Sequence, residues 1–142
     1  MEIHSSSPEE TQKLAGELAL KIKPGTLITL SGDLGSGKTT FVQGFAHALG
    51  IKQRLLSPTF VFVHLYHYAR QAEQHTLYHV DLYRIQSEHE VISLDLVAML
   101  RDPRGIVVVE WPERAMSLFT KCVKVSFVIM NENTRRISIE GI

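Results

Sequence analysis

Gly32-Asp33-Leu34-Gly35-Ser36-Gly37-Lys38-Thr39 decides how this chain is read. It matches G-x-x-x-x-G-K-[ST], a loop whose glycines let successive backbone N–H groups point inward at phosphate oxygens. Thr26 to Leu30 (TLITL) runs straight in as a β-rich segment, and Phe41, Val42, Phe45, Ala48 and Leu49 run out at helical spacing to Gly50. Strand, glycine turn and helix start in that order predict a nucleotide site, with the positive end of the helix dipole adding to the field at the phosphates. In this reading the backbone of Asp33, Leu34, Gly35, Ser36 and Gly37 cradles the phosphates. Lys38 reaches the β- and γ-phosphates, Thr39 offers its hydroxyl to Mg²⁺, and Thr40 contacts the α-phosphate.

Working outward, Ser5-Ser6-Ser7-Pro8-Glu9-Glu10 predicts a helix start of hydroxyl caps, proline and first-turn acids. Leu14, Leu18 and Ile22 continue it to Lys23-Pro24-Gly25. Phe60–Tyr68 and Thr76–Tyr83 are aromatic and β-branched, and a polar connection from Ala69 to His75 makes them an antiparallel hairpin. Glu88 to Leu100 is helical in composition, and Asp102-Pro103-Arg104-Gly105 is a turn. Ile106 to Val109 has no polar member, as a strand covered on both faces reads. A short helix through Leu118 follows Trp111-Pro112. Val123–Ile129 and Arg136–Ile139 form a terminal hairpin around Asn131-Glu132-Asn133. The expected fold is a single α/β domain over 1–142. It is a three-layer sandwich like that of P-loop NTPases, with a mixed, mostly parallel central sheet, flanking helices and added antiparallel hairpins.

Composition narrows the function. The 142 residues suffice for one domain, and 44% are hydrophobic, enough for a core. Fifteen basic residues balance fifteen acidic ones, which argues against a stand-alone nucleic-acid binder. The lone Cys122 excludes an intrachain disulfide framework and suits a reducing, cytoplasmic setting. No apolar run approaches the ~18 residues of a membrane span. Met1-Glu2-Ile3-His4 does not begin as a signal peptide does. A monomer is expected.

A phosphate loop needs a second carboxylate for its metal, at the end of a neighbouring hydrophobic strand. Glu110, directly after Ile106–Val109, answers that description; it could also be simply the first polar residue out of the core. Asp81 sits inside an aromatic strand, where a carboxylate is costly unless paired or functional. It either positions the attacking water or pairs with Arg84. Ser57-Pro58-Thr59 reads equally as a hydroxyl loop sensing the γ-phosphate or as a proline turn. The histidines read as sheet-surface or core residues rather than a metal set, since His64 and His67 fall on opposite strand faces. Trp111 reads as packing, and Lys121, Lys124, Arg135 and Arg136 as a solvated edge.

Together, Gly32–Thr40 (GDLGSGKTT), Ser57-Pro58-Thr59-Phe60, His79-Val80-Asp81-Leu82-Tyr83-Arg84 and Glu110-Trp111-Pro112 resemble the TsaE (YjeE) family in order and spacing, over essentially the whole chain. The resemblance implies a Mg²⁺-dependent ATPase that turns ATP into ADP and is required for threonylcarbamoyladenosine in tRNA. It also implies action with TsaB and TsaD, with tRNA met only through that complex. It places Lys38 and Thr39 at the phosphate and magnesium positions, Glu110 at the second magnesium carboxylate and Asp81 at the acid required for turnover, with Thr59 beside it. Thr11 matches an N-terminal nucleotide contact, and Thr134-Arg135-Arg136 a late loop near the nucleotide. Asp95 departs from the glycine that relatives often carry. No evident arginine finger stands ready, so turnover is expected to be slow without partners. Two rivals remain: a small-molecule kinase, for which little chain is left to build an acceptor lid, and a nucleotide-responsive binding module that needs no turnover.

Overall fold

The computed structural model describes residues 1–55 and 62–142, so Ser57-Pro58-Thr59, and with it Thr59, lies outside the described residues. The strands are β1 (Glu2–Ser5), β2 (Leu27–Ser31), β3 (Val63–Arg70), β4 (Glu73–Asp81), β5 (Gly105–Glu110), β6 (Val123–Ile129) and β7 (Arg135–Glu140). The helices are α1 (Pro8–Lys21), α2 (Lys38–Ala48), α3 (Glu88–Ser93) and α4 (Leu96–Arg101), with a 3₁₀ segment at Pro112–Leu118.

All seven strands form one sheet in the order β1-β7-β6-β2-β5-β4-β3. At its centre β6, β2, β5 and β4 run parallel, and every residue of β5 is buried, as its unbroken apolar run predicts. The outer pairs β1–β7, β7–β6 and β4–β3 are antiparallel. The mixed sheet thus has a parallel centre with antiparallel strands added at both sides, three parallel pairings and three antiparallel.

Helices cover both faces. Leu14 and Leu18 of α1 and Phe41 and Phe45 of α2 pack on one face, over Ile28, Leu30, Ile106 and Val108. Val91, Leu96, Ala115 and Phe119 pack on the other, over Val80, Val107 and Val109. The cap of α1 follows its sequence: Ser7 Oγ accepts the Glu10 N–H at 3.1 Å, Glu10 Oε2 accepts the Ser6 N–H at 2.6 Å, and Pro8 stands in the first turn. Between β4 and the turn before β5, Tyr78 OH donates to Asp102 Oδ2 at 2.7 Å, which pushes the Tyr78 phenol up to about 12 and Asp102 below the usual carboxylate range.

Gly44 lets α1 and α2 approach closely. A Cβ there would stand 2.4 Å from the Gln12 Cα and carbonyl oxygen. Backbone cannot rotate aside as a side chain does, so Gly44→Ala must push α1 off α2. We expect a loss of about 3 kcal/mol, the upper end for overpacking, read by urea denaturation. An unchanged midpoint would show that the two helices do not touch there.

Two local expectations are corrected, and one strand is added. The β3–β4 connection is the two residues Gln71 and Ala72, both at positive φ (53° and 64°), rather than the seven from Ala69 to His75. The expected helix over Glu88–Leu100 is two short ones, broken where Asp95 takes a left-handed conformation (φ 59°). That conformation explains why glycine suits the position. The amino terminus adds β1, which pairs Ile3 with Ile137.

Candidate functional site

The carboxyl ends of three adjacent parallel strands meet at one edge: β2 feeds the glycine loop, β4 ends at Asp81, and β5 ends at Glu110. Crevices beyond carboxyl ends of this kind are where open α/β sheets take ligands. Asp81 and Glu110 are register partners across β4 and β5.

The loop geometry depends on two glycines. A Cβ on Gly32 would lie 2.7 Å from Ser36 Oγ and 2.8 Å from the Phe127 carbonyl oxygen. Gly37 precedes α2 with φ 103°, open to glycine at little cost. Within the loop, Lys38 Nζ donates to the carbonyls of Gly32 (2.5 Å) and Asp33 (2.9 Å) and to Ser36 Oγ (3.4 Å). It also lies 4.3 Å from the centroid of the Trp111 ring, a cation–π contact. Burial draws the Lys38 ammonium below the ordinary lysine range, against the opposing charges of Glu110, Glu113, Asp81 and Asp33.

Thr39 Oγ1 donates to Glu110 Oε1 at 3.2 Å, so hydroxyl and carboxylate lie together as the sequence reading requires. Burial, reinforced by the Glu110 charge, raises the Asp81 carboxyl above its ordinary value; the Tyr83 N–H on its Oδ1 at 2.9 Å works the other way. Asp81, Glu110, Lys38, Thr39, Leu34 and Trp111 line an open cleft of about 430 Å³. Trp111 is therefore part of this wall, with its ring centroid 4.9 Å from that of Tyr83 at a tilt of 47°, beyond the packing role expected of it.

A second cleft of about 490 Å³ shares Gly35, Ser36, Gly37 and Thr40 with the first and extends to Ser5–Pro8, Thr11, Asn133 and Arg135. The Thr11 hydroxyl is buried there, 2.7 Å from Ser5 Oγ. Arg135 donates to the carbonyls of Asn131 (3.0 Å) and Gly35 (3.3 Å), tying the β6–β7 turn to the glycine loop. Thr134 and Arg136 are not among the lining residues of either cleft, and Arg136 lies within β7, between His4 and Val128. Asp33 contributes through its carbonyl, which accepts from Lys38 and from the Ser36 N–H at 3.1 Å. A larger groove of about 590 Å³ between α1 and α2 has no carboxylate in its lining and stands apart from this chemistry.

The sequence reading left His79 without a role. It is fully buried, and its Nε2 lies 3.2 Å from Glu110 Oε2. The available signal was parity: His79 and Asp81 are two apart on one strand and so share a face.

Magnesium is tested on this donor set. Thr39 and Glu110 offer hard oxygens, and among the described residues no group of three or more His, Cys, Asp or Glu could hold a metal alone. That sparse set suits Mg²⁺, which keeps several waters and takes phosphate oxygens as its remaining ligands. No helix among the described residues is long and apolar enough to cross a membrane.

Residues 5–137 match the model of the family described as "Threonylcarbamoyl adenosine biosynthesis protein TsaE". The chain is 43% identical over 105 residues to the tRNA threonylcarbamoyladenosine biosynthesis protein TsaE of Bacillus subtilis, a match covering 74% of this chain and 62% of that protein. To the protein of the same name from Rickettsia felis it is 35% identical over 136 residues, covering 94% and 76% of the two chains. The crystal structure of Bacillus subtilis YdiB superposes with a TM-score of 0.75 at 30% identity, covering 98% of this chain and 83% of that one.

Proposed function

The chain belongs to the TsaE family, and from that premise we propose that it is a Mg²⁺-dependent ATPase of the P-loop kind, a single domain that supports tRNA N6-threonylcarbamoyladenosine formation by TsaB and TsaD. One observation carries the enzymatic part. The head of α2 brings Lys38 and Thr39 into one cleft with Glu110 and Asp81, the terminal carboxylates of two neighbouring strands.

The reaction is attack of water on the γ-phosphorus of ATP. The bond to the β–γ bridging oxygen breaks, giving ADP and inorganic phosphate. The loop amides and the dipole of α2 hold the phosphate chain. Lys38 exchanges its bonds to Gly32, Asp33 and Ser36 for phosphate oxygens and stabilises the charge developing on the bridge. Asp81, its carboxylate oriented by the Tyr83 N–H, orders the attacking water and takes up its proton. Its raised pKa, from burial, favours that uptake. Thr39 and Glu110 would hold Mg²⁺, which when bound neutralises phosphate charge. The second cleft, beside Thr11 and Arg135, suits the nucleoside end, and Thr59 belongs to the same proposal as a further γ-phosphate contact. Lys38 is the one cation among the described residues lining the first cleft, and a second positive charge would have to come from outside that lining, so slow turnover alone is expected.

Calorimetry with Mg-ATP and Mg-ADP, followed by phosphate release with and without purified TsaB and TsaD, tests the reading. Binding, slow release alone and faster release with the partners are expected. A folded sample with affinity for neither nucleotide overturns it. Label transferred from ATP to a small metabolite would identify a kinase instead.

A further inference from the structure

We propose that His79 is a positioning residue for Glu110, holding one carboxylate oxygen so that the other is presented beside Thr39; this rests on the assignment of Glu110 to the metal. His79 lies in β4 with no exposure, on the same face as Leu77 and Asp81. A position so enclosed would ordinarily take an apolar side chain, because a buried polar group is costly unless it is bonded. Its Nε2 stands 3.2 Å from Glu110 Oε2, and its Nδ1 has no partner among the described residues. Glu110 is the polar contact that accounts for an imidazole here.

An ionised carboxylate only accepts, so Nε2–H is the donor. Glu110 Oε2 is engaged by this N–H, while Oε1 accepts from Thr39 at 3.2 Å. The two bonds engage one carboxylate oxygen each. A glutamate at a strand end otherwise keeps rotational freedom that each binding event must remove. With Oε2 occupied, Glu110 would be left with Oε1, beside the Thr39 hydroxyl, to offer a hard cation. The arrangement follows the general pattern in which partners behind the ligands set ligand orientation.

The test compares His79→Leu, which removes the donor at similar bulk, with His79→Gln, whose amide N–H can reach the same oxygen. ADP affinity is measured by calorimetry in Mg²⁺ and in EDTA, and the EPR line shape of Mn²⁺ bound with ADP is recorded. For His79→Leu we expect EDTA affinity close to wild type, a metal-dependent gain in ADP affinity reduced by about tenfold or more, and an altered Mn²⁺ line shape. His79→Gln should restore both. A His79→Leu protein with the wild-type gain and line shape overturns the proposal. So does equal weakness in both variants, which would reflect packing alone. If His79→Leu does not fold, nitrogen NMR of the wild-type imidazoles, assigned against His79→Gln, decides: a protonated Nε2 whose resonance moves on adding Mg-ADP supports the proposal, and an unprotonated Nε2 or an unmoved resonance overturns it. Absence of any metal-dependent gain in the wild type would remove the ATPase reading as well. A normal wild-type gain that survives in His79→Leu removes only the role of His79.

Discussion

Lys38→Ala is expected to cut ATP turnover by a factor of about 10²–10³, the cost of removing one preorganised donor from developing phosphate charge. The residue is only 6% exposed, and its ammonium is the one cation among the described residues lining the cleft. Surrounding solvent cannot replace a charge at such a site as it would on the surface. Without ligand, the ammonium bridges the carbonyls of Gly32 and Asp33, so alanine also removes an internal staple of the loop. Nucleotide affinity should therefore fall together with rate. Lys38→Arg should not rescue, because a planar guanidinium cannot occupy the narrow space between those carbonyls as a point charge does. Phosphate release and calorimetry on samples of unchanged circular dichroism check this. A Lys38→Ala protein that keeps most of the wild-type rate would refute the role given to the ammonium.

Asp81→Asn separates binding from chemistry. Asparagine preserves the shape and can still accept the Tyr83 N–H through its amide oxygen, so the end of β4 should keep its place. It cannot take up a proton. Nucleotide affinity should remain near wild type while phosphate release falls by about 10²–10⁴, the range for loss of a general base. Equal losses in binding and rate would mean that Asp81 is structural. Turnover at the wild-type rate would leave water to some other group. Should cells relying on the Asp81→Asn protein make the tRNA modification in full, the binding-module rival would be favoured over an ATPase.

The loop was legible because its demands are local. Gly37 must reach positive φ before the helix, and Lys38 and Thr39 open α2 in the same turn. Glu110 was legible for a related reason: four consecutive aliphatics define a strand buried on both faces, and the first charge after them must lie at its end. The Ser7-Pro8 helix start was equally explicit. The failures share a different origin. Gln71-Ala72 carries neither the Asn nor the Gly that usually marks a two-residue turn, so pairing along β3 and β4 imposes that turn on unfavourable residues. Asp95 breaks a helix that composition alone would continue, since propensity yields to packing of Val91 and Leu96 into the core. Four-residue β1 has little apolar pattern of its own and exists through its pairing with β7.

Backbone chemistry written into neighbouring residues thus determined a glycine-rich loop, the helix behind it and a charged residue at the end of a buried strand. Pairing between distant segments settled the rest. Parallel register sets Asp81 opposite Glu110, strand parity then brings His79 onto the Glu110 carboxylate, and the β6–β7 turn lays Arg135 against Gly35. Those contacts join residues 29 to 100 positions apart, and their geometry comes from sheet order and side-chain packing, which no local window of residues contains.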